Sequence, residues 1–259
     1  MITEGFAARL ARLHQLQSAR TNRLGRSTGA MLSIITPVLN EEDGIAATLQ
    51  ALSPLRARGA EVIVVDGGSR DRTVERARPL CNRLIAAPRG RATQMNAGAG
   101  AAGGDVLLFL HADTQLPADA DRLILEGLAA SGRPWGRFDV RIAGRHPLFP
   151  LISATMNLRS RLTGIATGDQ AMFVERSAFA AIGGFPDIAL MEDIELSRRL
   201  KRLRRPLCLR PRVSTSGRRW EKHGVVRTIL TMWHLRLAFF FGVAPAKLAA
   251  SYGYVPRQS

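Results

Sequence analysis

From position 31 onward, apolar and polar residues follow two alternating periods. Met31 to Val38, Glu61 to Val65 and Asp105 to Leu110 are short, nearly unbroken apolar runs, and each predicts a buried strand. Between and after them, apolar positions recur at helical spacing. This pattern predicts helices over Glu42 to Leu52, Arg72 to Leu80, Arg91 to Ala102 and Ala118 to Ala130, with a short strand over Arg83 to Ala87. Strands that alternate with helices imply a parallel sheet wrapped by helices, with ligands at the carboxyl ends of the strands. Beyond Arg133 the pattern loosens. Phe138 to Ile142 still reads as a strand, and helices are expected after Glu192 and after Gly224. The chain has no internal repeat.

The two ends differ from this body. Residues 1–30 carry Arg9, Arg12, Arg20, Arg23 and Arg26 against a single Glu4, and close in a glycine-rich loop. They read as a basic extension. A main unit is expected over residues 31–223 and a tail over 224–259. No apolar stretch of secretory type follows the early charges. In the tail, Val225 to Val243 is apolar on most sides, with Arg227, Thr228, Thr231 and His234 on one stripe and Arg236 opposite. Too polar to span a bilayer, it fits a helix lying in a membrane interface with Trp233 and Phe239 to Phe241 inserted. It equally fits a helix packed on the main unit or on a second copy in a homodimer.

Composition narrows the class. The 259 residues are 46% hydrophobic and 22% charged, enough for a core without staples. Cys81 and Cys208 make neither a disulfide framework nor a zinc cluster, which suits a reducing, cytoplasmic setting. The net charge of +16 is nearly all arginine, lysine standing only at 201, 222 and 247. GC-rich coding accounts for part of that bias. The rest points to an anionic partner: nucleic acid, a membrane surface or phosphorylated small molecules. No helix-turn-helix, RNA-recognition or zinc signature is present, so nucleic acid is not the expected partner.

Candidate chemistry lies at strand ends. Gly98 to Gly103 matches G-x-G-x-x-G, but these glycines close a helix and precede a strand, the reverse of a dinucleotide site. Asp66-Gly67-Gly68-Ser69 follows the second strand; it is either a turn or a carboxylate offered to a nucleobase. His111-Ala112-Asp113 follows the fourth predicted strand, where an aspartate can hold a divalent cation against a diphosphate, or cap a turn. Glu192-Asp193 opens a helix, where acidic residues complement the macrodipole or supply a general base.

The six segments SIITPVLNEE, VVDGGSRDRT, GRATQMNAG, FLHADT, GDQAMFV and LMEDIELSRRL, in that order from Leu32 to Trp220, resemble the family 2 glycosyltransferases of the GT-A fold. The nearest likeness is to a bacterial subgroup with the HAD form of the metal motif, often labelled arsenosugar-biosynthesis glycosyltransferases. The resemblance implies a mixed, mostly parallel sheet flanked by helices, with a C-terminal amphipathic helix. It also implies an inverting transfer from a nucleotide-diphosphosugar, most simply UDP-linked, to an acceptor hydroxyl that could be lipid-linked.

The family's residues carry over as follows. Pro37, Leu39 and Glu41 match the first nucleotide-contacting loop. Asp66 matches the carboxylate that reads the base, and Arg91 and Asn96 the groups near ribose and diphosphate. Asp113 matches the metal-binding aspartate and Asp193 the proposed base. His111 and Ala112 complete the metal motif, though His111 stands where aspartate is common and brings no negative charge. Asp169, Gln170 and Glu192 fall where relatives line the acceptor pocket. Thr215 to His223 resembles an Arg-Trp loop that closes over the donor, with Arg218 and Arg219 on the diphosphate and His223 completing the shell of a manganese or magnesium ion. The other reading that His111 leaves open is a GT-A domain that binds nucleotide or membrane without transferring sugar. On either reading the protein would be cytoplasmic, or peripheral on the inner membrane face.

Overall fold

The computed structural model describes residues 29–251, the side chains of Arg219 and His223 excepted. The expected extension over residues 1–30 lies almost wholly outside the described residues. Eight strands form one sheet in the order β3-β2-β1-β4-β7-β6-β8-β5. They are β1 (Leu32–Val38), β2 (Glu61–Asp66), β3 (Arg83–Ala86), β4 (Val106–Phe109), β5 (Thr114–Gln115), β6 (Trp135–Ala143), β7 (Phe173–Glu175) and β8 (Leu207–Ser216). β3, β2, β1 and β4 run parallel, as the alternation of strands and helices predicts. β7 then reverses direction against both β4 and β6, while β6 and β8 are parallel and β5 is antiparallel to β8.

The inner strands are apolar throughout because both faces are covered. Ile34, Val62, Val64 and Leu108 point into one core, and Ile35, Ile63, Val65 and Leu107 into the other. The first core is covered by α1 (Ile45–Ala51), α2 (Ser53–Ala57), α3 (Thr73–Ala77) and α5 (Ala120–Ser131). The expected helix over Glu42 to Leu52 is present as α1 after a turn at its start, and a further short helix, α2, follows it with Pro54 in its first turn, where no N–H is needed. The second core is covered by α4 (Arg91–Ala101), α7 (Arg176–Ala181) and α8 (Glu192–Leu203). α4 is built of small residues so that it can lie close to β1 and β2. Gly98 rests directly on Ile35 and Val65, with no room for a side chain.

The pattern of the C-terminal half is harder to read because polar groups are buried there. α6 (Phe149–Thr163) turns Ser153, Asn157 and Ser160 inward and leaves Leu151, Leu158 and Leu162 exposed. Asn157 exchanges both halves of its amide with the backbone of Val140, and Ser153 accepts the N–H of Ile142, so α6 is stitched to β6. A bulge between Phe138 and Asp139 separates the fully buried Arg137 from the regular register beyond it. Arg137 pairs with Asp139 and donates to the carbonyl of Asn157, while Arg161 holds the other oxygen of Asp139 at 2.7 Å.

The tail does not stand apart. α9 (Arg218–His223) leads into α10 (Val225–Phe240), and α11 (Pro245–Ser251) follows. One side of α10 packs on the protein: Val225 and Ile229 meet Ile152 and Met156 of α6, and Leu235 meets Leu190 and Met191 just ahead of α8. Its other side is bare, with Val226, Leu230, Trp233, Leu237 and Phe240 exposed. Phe239, expected with the exposed aromatics, is turned inward beside Ile194, with the Arg198 guanidinium 6.0 Å from its ring centre. No helix among the described residues is long and apolar enough to cross a membrane.

Candidate functional site

The carboxyl ends of β1, β2 and β4 open into one cleft, and the sequence fixes its first wall by lacing two loops together. Asn40 donates its N–H to the Ser69 hydroxyl and accepts the N–H of Arg70 on its side chain. Its backbone sits at φ 53°, a left-handed position that asparagine tolerates. Glu41 donates its N–H to the Thr73 hydroxyl at 2.7 Å, and Glu42 donates its N–H to the Asp71 carboxylate and accepts the N–H of Arg72 on its own. Pro37 and Leu39 stand half-buried at this edge, and Glu41 with them.

Beneath the two loops, the buried Gln94 of α4 donates to the last carbonyls of both strands, Val38 at 2.9 Å and Val65 at 2.8 Å. Nothing in its sequence setting marks Gln94 out. Gln94→Leu removes both bonds while the Val38 carbonyl keeps the Gly67 N–H at 3.0 Å, so unfolding in urea is expected to show a loss of about 1–2 kcal/mol. Asp66 lies at the same edge, and its carboxylate accepts the N–H groups of Gly68 and Ser69. It thus shapes the turn at the end of β2.

The loop after β4 carries His111, Ala112 and Asp113. Asp113 is exposed, and among the described residues its carboxylate meets only the Thr114 hydroxyl, at 3.4 Å. Its backbone is tied to the chain's far end, since Ser216 donates its N–H to the Asp113 carbonyl. The hydroxyls of Thr114 and Thr215 also meet, at 3.1 Å. That tether delivers Arg218, whose guanidinium is held by the Ser216 hydroxyl and reaches over Gly44 in the first loop. The side chains of Arg219 and His223 lie outside the described residues. Burial pushes the Glu41 carboxyl up, helped by Asp113 and Asp71 and opposed by Arg218 and His111. These groups therefore share one local field.

The opposite wall joins Gly168–Gln170 to the start of α8. Met191 adopts φ 68°, which turns the chain so that Glu192 and Asp193 open the helix. Asp193 accepts the N–H of Gly168 at 2.9 Å on one oxygen and that of Ile194 on the other. The Nε2–Cε1 edge of the His111 imidazole lies against Gly168, leaving no space for a side chain there, and its Nδ1 is 3.5 Å from Asp169. Met95, Phe109, Met172 and Phe185 floor the pocket between His111 and Asp193. Burial opposes ionisation of Asp169, but the hydrogen bond and charge of His111, with Arg91 and Arg236, hold its carboxyl below the usual range. The negative charge that His111 does not bring is thus supplied one contact away.

Three expected site residues are spent on the frame. Glu192 is buried and takes the Arg91 guanidinium at 3.1 Å. Burial pushes its carboxyl up against the pull of Arg91, whose own charge it fixes. Asn96 exchanges both ends of its amide with the backbone of Phe185, so it positions that loop and has no free amide for a ribose. Gln170 is wholly buried, its amide turned to the Thr167 N–H and to Asn157, so it supports the acceptor-side loop from behind.

Among the described residues no three His, Cys, Asp or Glu side chains stand close enough to enclose a metal ion. The donor set nevertheless suits a divalent cation of the magnesium type, which needs only one or two carboxylates when a substrate's phosphate oxygens supply the rest. Asp113, exposed and nearly unbonded beside the crowded charge of Glu41, is such a carboxylate.

Known proteins share this family and fold. Residues 33–182 match the profile of Glycosyl transferase family 2, a span that ends before Glu192 and Asp193. The uncharacterized glycosyltransferase Rv1514c of Mycobacterium tuberculosis is 32% identical over 194 residues, 69% of this chain and 72% of that protein. Among solved structures, S. aureus TarS 1-349 in complex with UDP-GlcNAc superposes with a TM-score of 0.58 at 19% identity. That match covers 72% of this chain and 58% of TarS 1-349, so this chain is similar to little more than half of it. Glucosyl-3-phosphoglycerate synthase from Mycobacterium tuberculosis, with Mg2+ and UDP, gives a TM-score of 0.56 at 20% identity, covering 76% of this chain and 74% of that one. The shared architecture is the GT-A fold that the motifs imply.

Proposed function

The chain belongs to glycosyl transferase family 2, and from that premise we propose that it moves a sugar from a uridine diphosphate donor to an acceptor hydroxyl with inversion. The observation that carries this reading is the opposition of the two walls. Asp66, Glu41 and Arg218 line the cleft edge on one side, and Asp193 stands on the other with His111 between them. The solved relatives hold UDP and UDP-GlcNAc in this fold, which supports uridine diphosphate as the leaving group.

Each residue then has a task. Asp66 presents a carboxylate to the N3–H of uracil, and Pro37 and Leu39 pack along the nucleoside. Arg218, with Arg219 after it, meets the diphosphate, for which guanidinium geometry is suited. Asp113, with His111 beside it and His223 from the closing segment, would hold a divalent ion that supplies positive charge against the departing diphosphate. Arg91 adds a fixed positive charge behind Glu192. Asp193 takes the proton of the acceptor hydroxyl as that oxygen bonds to the anomeric carbon. The bond from that carbon to the diphosphate oxygen breaks, and its electron pair leaves with the nucleotide. A single displacement from the opposite face inverts the centre and requires no second carboxylate nucleophile. Asp169 keeps His111 oriented from the acceptor side.

The bare face of α10 beside the exposed leucines of α6 supports a position against a membrane surface, Trp233 being 70% and Phe241 75% exposed. The donor site is tested by calorimetry with UDP and GDP, with and without manganese. UDP is expected to bind with manganese, and Asp113→Ala to lose at least tenfold of that affinity. Binding that ignores both manganese and the substitution would overturn the assignment of Asp113.

A further inference from the structure

α6 and α10 bring two arginines to the acceptor side that nothing in the donor reading uses. Arg159 lies seven residues, two helical turns, beyond Ile152 on the face of α6 that meets α10. Among the described residues its buried Nε and Nη2 have no hydrogen-bond partner. Arg236 directly follows Leu235, which packs on Leu190 and Met191 at the threshold of Glu192 and Asp193. It is half-buried. Two like charges have therefore been brought together beside the proposed base, with only the fields of Asp193 and Asp169 to set against them.

Such an arrangement is costly in an empty protein. Burial, with the like charges of Arg236 and Arg137, pushes the Arg159 guanidinium down to about 10 against the pull of Asp193. The field of Arg236 also reaches Asp169. A buried charge without a partner destabilises a fold, and buried donors that make no bond are rare in native structures. What relieves both is an anion with several acceptor oxygens, placed between the guanidinium groups.

We propose that Arg159 and Arg236 form an anion subsite on the acceptor side, so that the acceptor is a molecule carrying a phosphate group close to the hydroxyl that Asp193 deprotonates. The inference rests on the glycosyltransferase reading of the cleft and specifies its acceptor class. A phosphate can arrive on a soluble metabolite or on a lipid, and the bare apolar face of α10 lies on the same helix as Arg236. The chemistry at the two guanidinium groups is the same in both cases.

The test uses the full chain, with and without UDP and manganese, and two probes: glycerol 3-phosphate in calorimetry, and phosphatidate-doped against pure phosphatidylcholine vesicles in sedimentation. One probe is expected to bind, and Arg159→Met and Arg236→Gln each to weaken it at least tenfold while UDP affinity stays within twofold. Preference for glycerol 3-phosphate identifies a soluble acceptor, and preference for phosphatidate vesicles a lipid-borne one. Arg159→Met is further expected to melt at or above the wild-type temperature, because it removes an unpaired buried charge. A merely structural arginine would show the opposite. Absence of phosphate binding by either probe, or binding equal in both variants, overturns the subsite. Absence of UDP binding in the wild type would instead overturn the donor reading, and the phosphate titration without UDP still decides the subsite.

Discussion

Asp193→Asn is expected to lower turnover about a thousandfold while leaving UDP affinity within twofold of wild type. The amide keeps the tie to the acceptor-side loop, because its carbonyl oxygen still accepts the N–H of Gly168, and gives up only the local bond from the Ile194 N–H at the start of α8. What it loses is basicity. An amide cannot hold the proton of the attacking hydroxyl, and the oxygen must then reach the anomeric carbon still protonated. The measurement is release of UDP from a panel of UDP-sugars, with water in the acceptor's place where no acceptor is yet known, beside calorimetry of UDP. A variant that keeps more than a tenth of the wild-type rate would remove Asp193 from the role of base. Selective loss of turnover would also dispose of a GT-A domain that binds without transferring.

The largest stability effect is expected at Asp139. Its carboxylate is shared between Arg137, which is fully buried, and Arg161, which reaches solvent. Asp139→Ala frees Arg161 to hydrate but leaves the Arg137 charge in the core with only the Asn157 carbonyl. Removing one partner of a buried pair typically costs about 3–5 kcal/mol, and urea titration should show a loss of that order. Asp139→Asn keeps an acceptor oxygen and should lose distinctly less. The consequence extends to α6, because Asn157, which holds Val140 of the same strand, stands two residues before Arg159. A loss below about 1 kcal/mol for the alanine variant would mean that Arg137 finds another partner or water.

What could be read from the sequence follows from where the burial lies. β1, β2 and β4 are legible because both faces are covered, and an unbroken apolar run has few other interpretations. β8 is not, since Arg210, Pro211 and Arg212 stand exposed in its middle and only Val213 and Thr215 are buried. α6 inverts the usual rule, with serine and asparagine inside and leucine outside, so its amphipathic signal points the wrong way. In the cleft, His111, Asp113 and Asp193 are conspicuous as polar groups at the ends of elements. Gln94 hides because a buried amide inside a helix of small residues leaves no pattern. Arg159 and Arg236 hide among an abundance of arginines, and only their packing distinguishes them. Asn96 and Gln170 show the converse: a polar residue in the right segment can be spent on the backbone of its own frame.

The tether between Asp113 and β8 has a consequence for how the molecule comes into being. Thr114 and Thr215, which meet at 3.1 Å, are 101 residues apart in the chain, and β1 joins β4 across some seventy more-local positions before that contact can form. Closing long spans costs chain entropy before any contact repays it, and folds dominated by them assemble in milliseconds to seconds where helical bundles take microseconds. A nascent chain therefore has its nucleotide half, laced loops included, well before the strand that fastens Asp113 has been made. Through that interval the flank of β4 that β7 will cover is an open sheet edge, the surface a chaperone or a second unfinished chain would meet first.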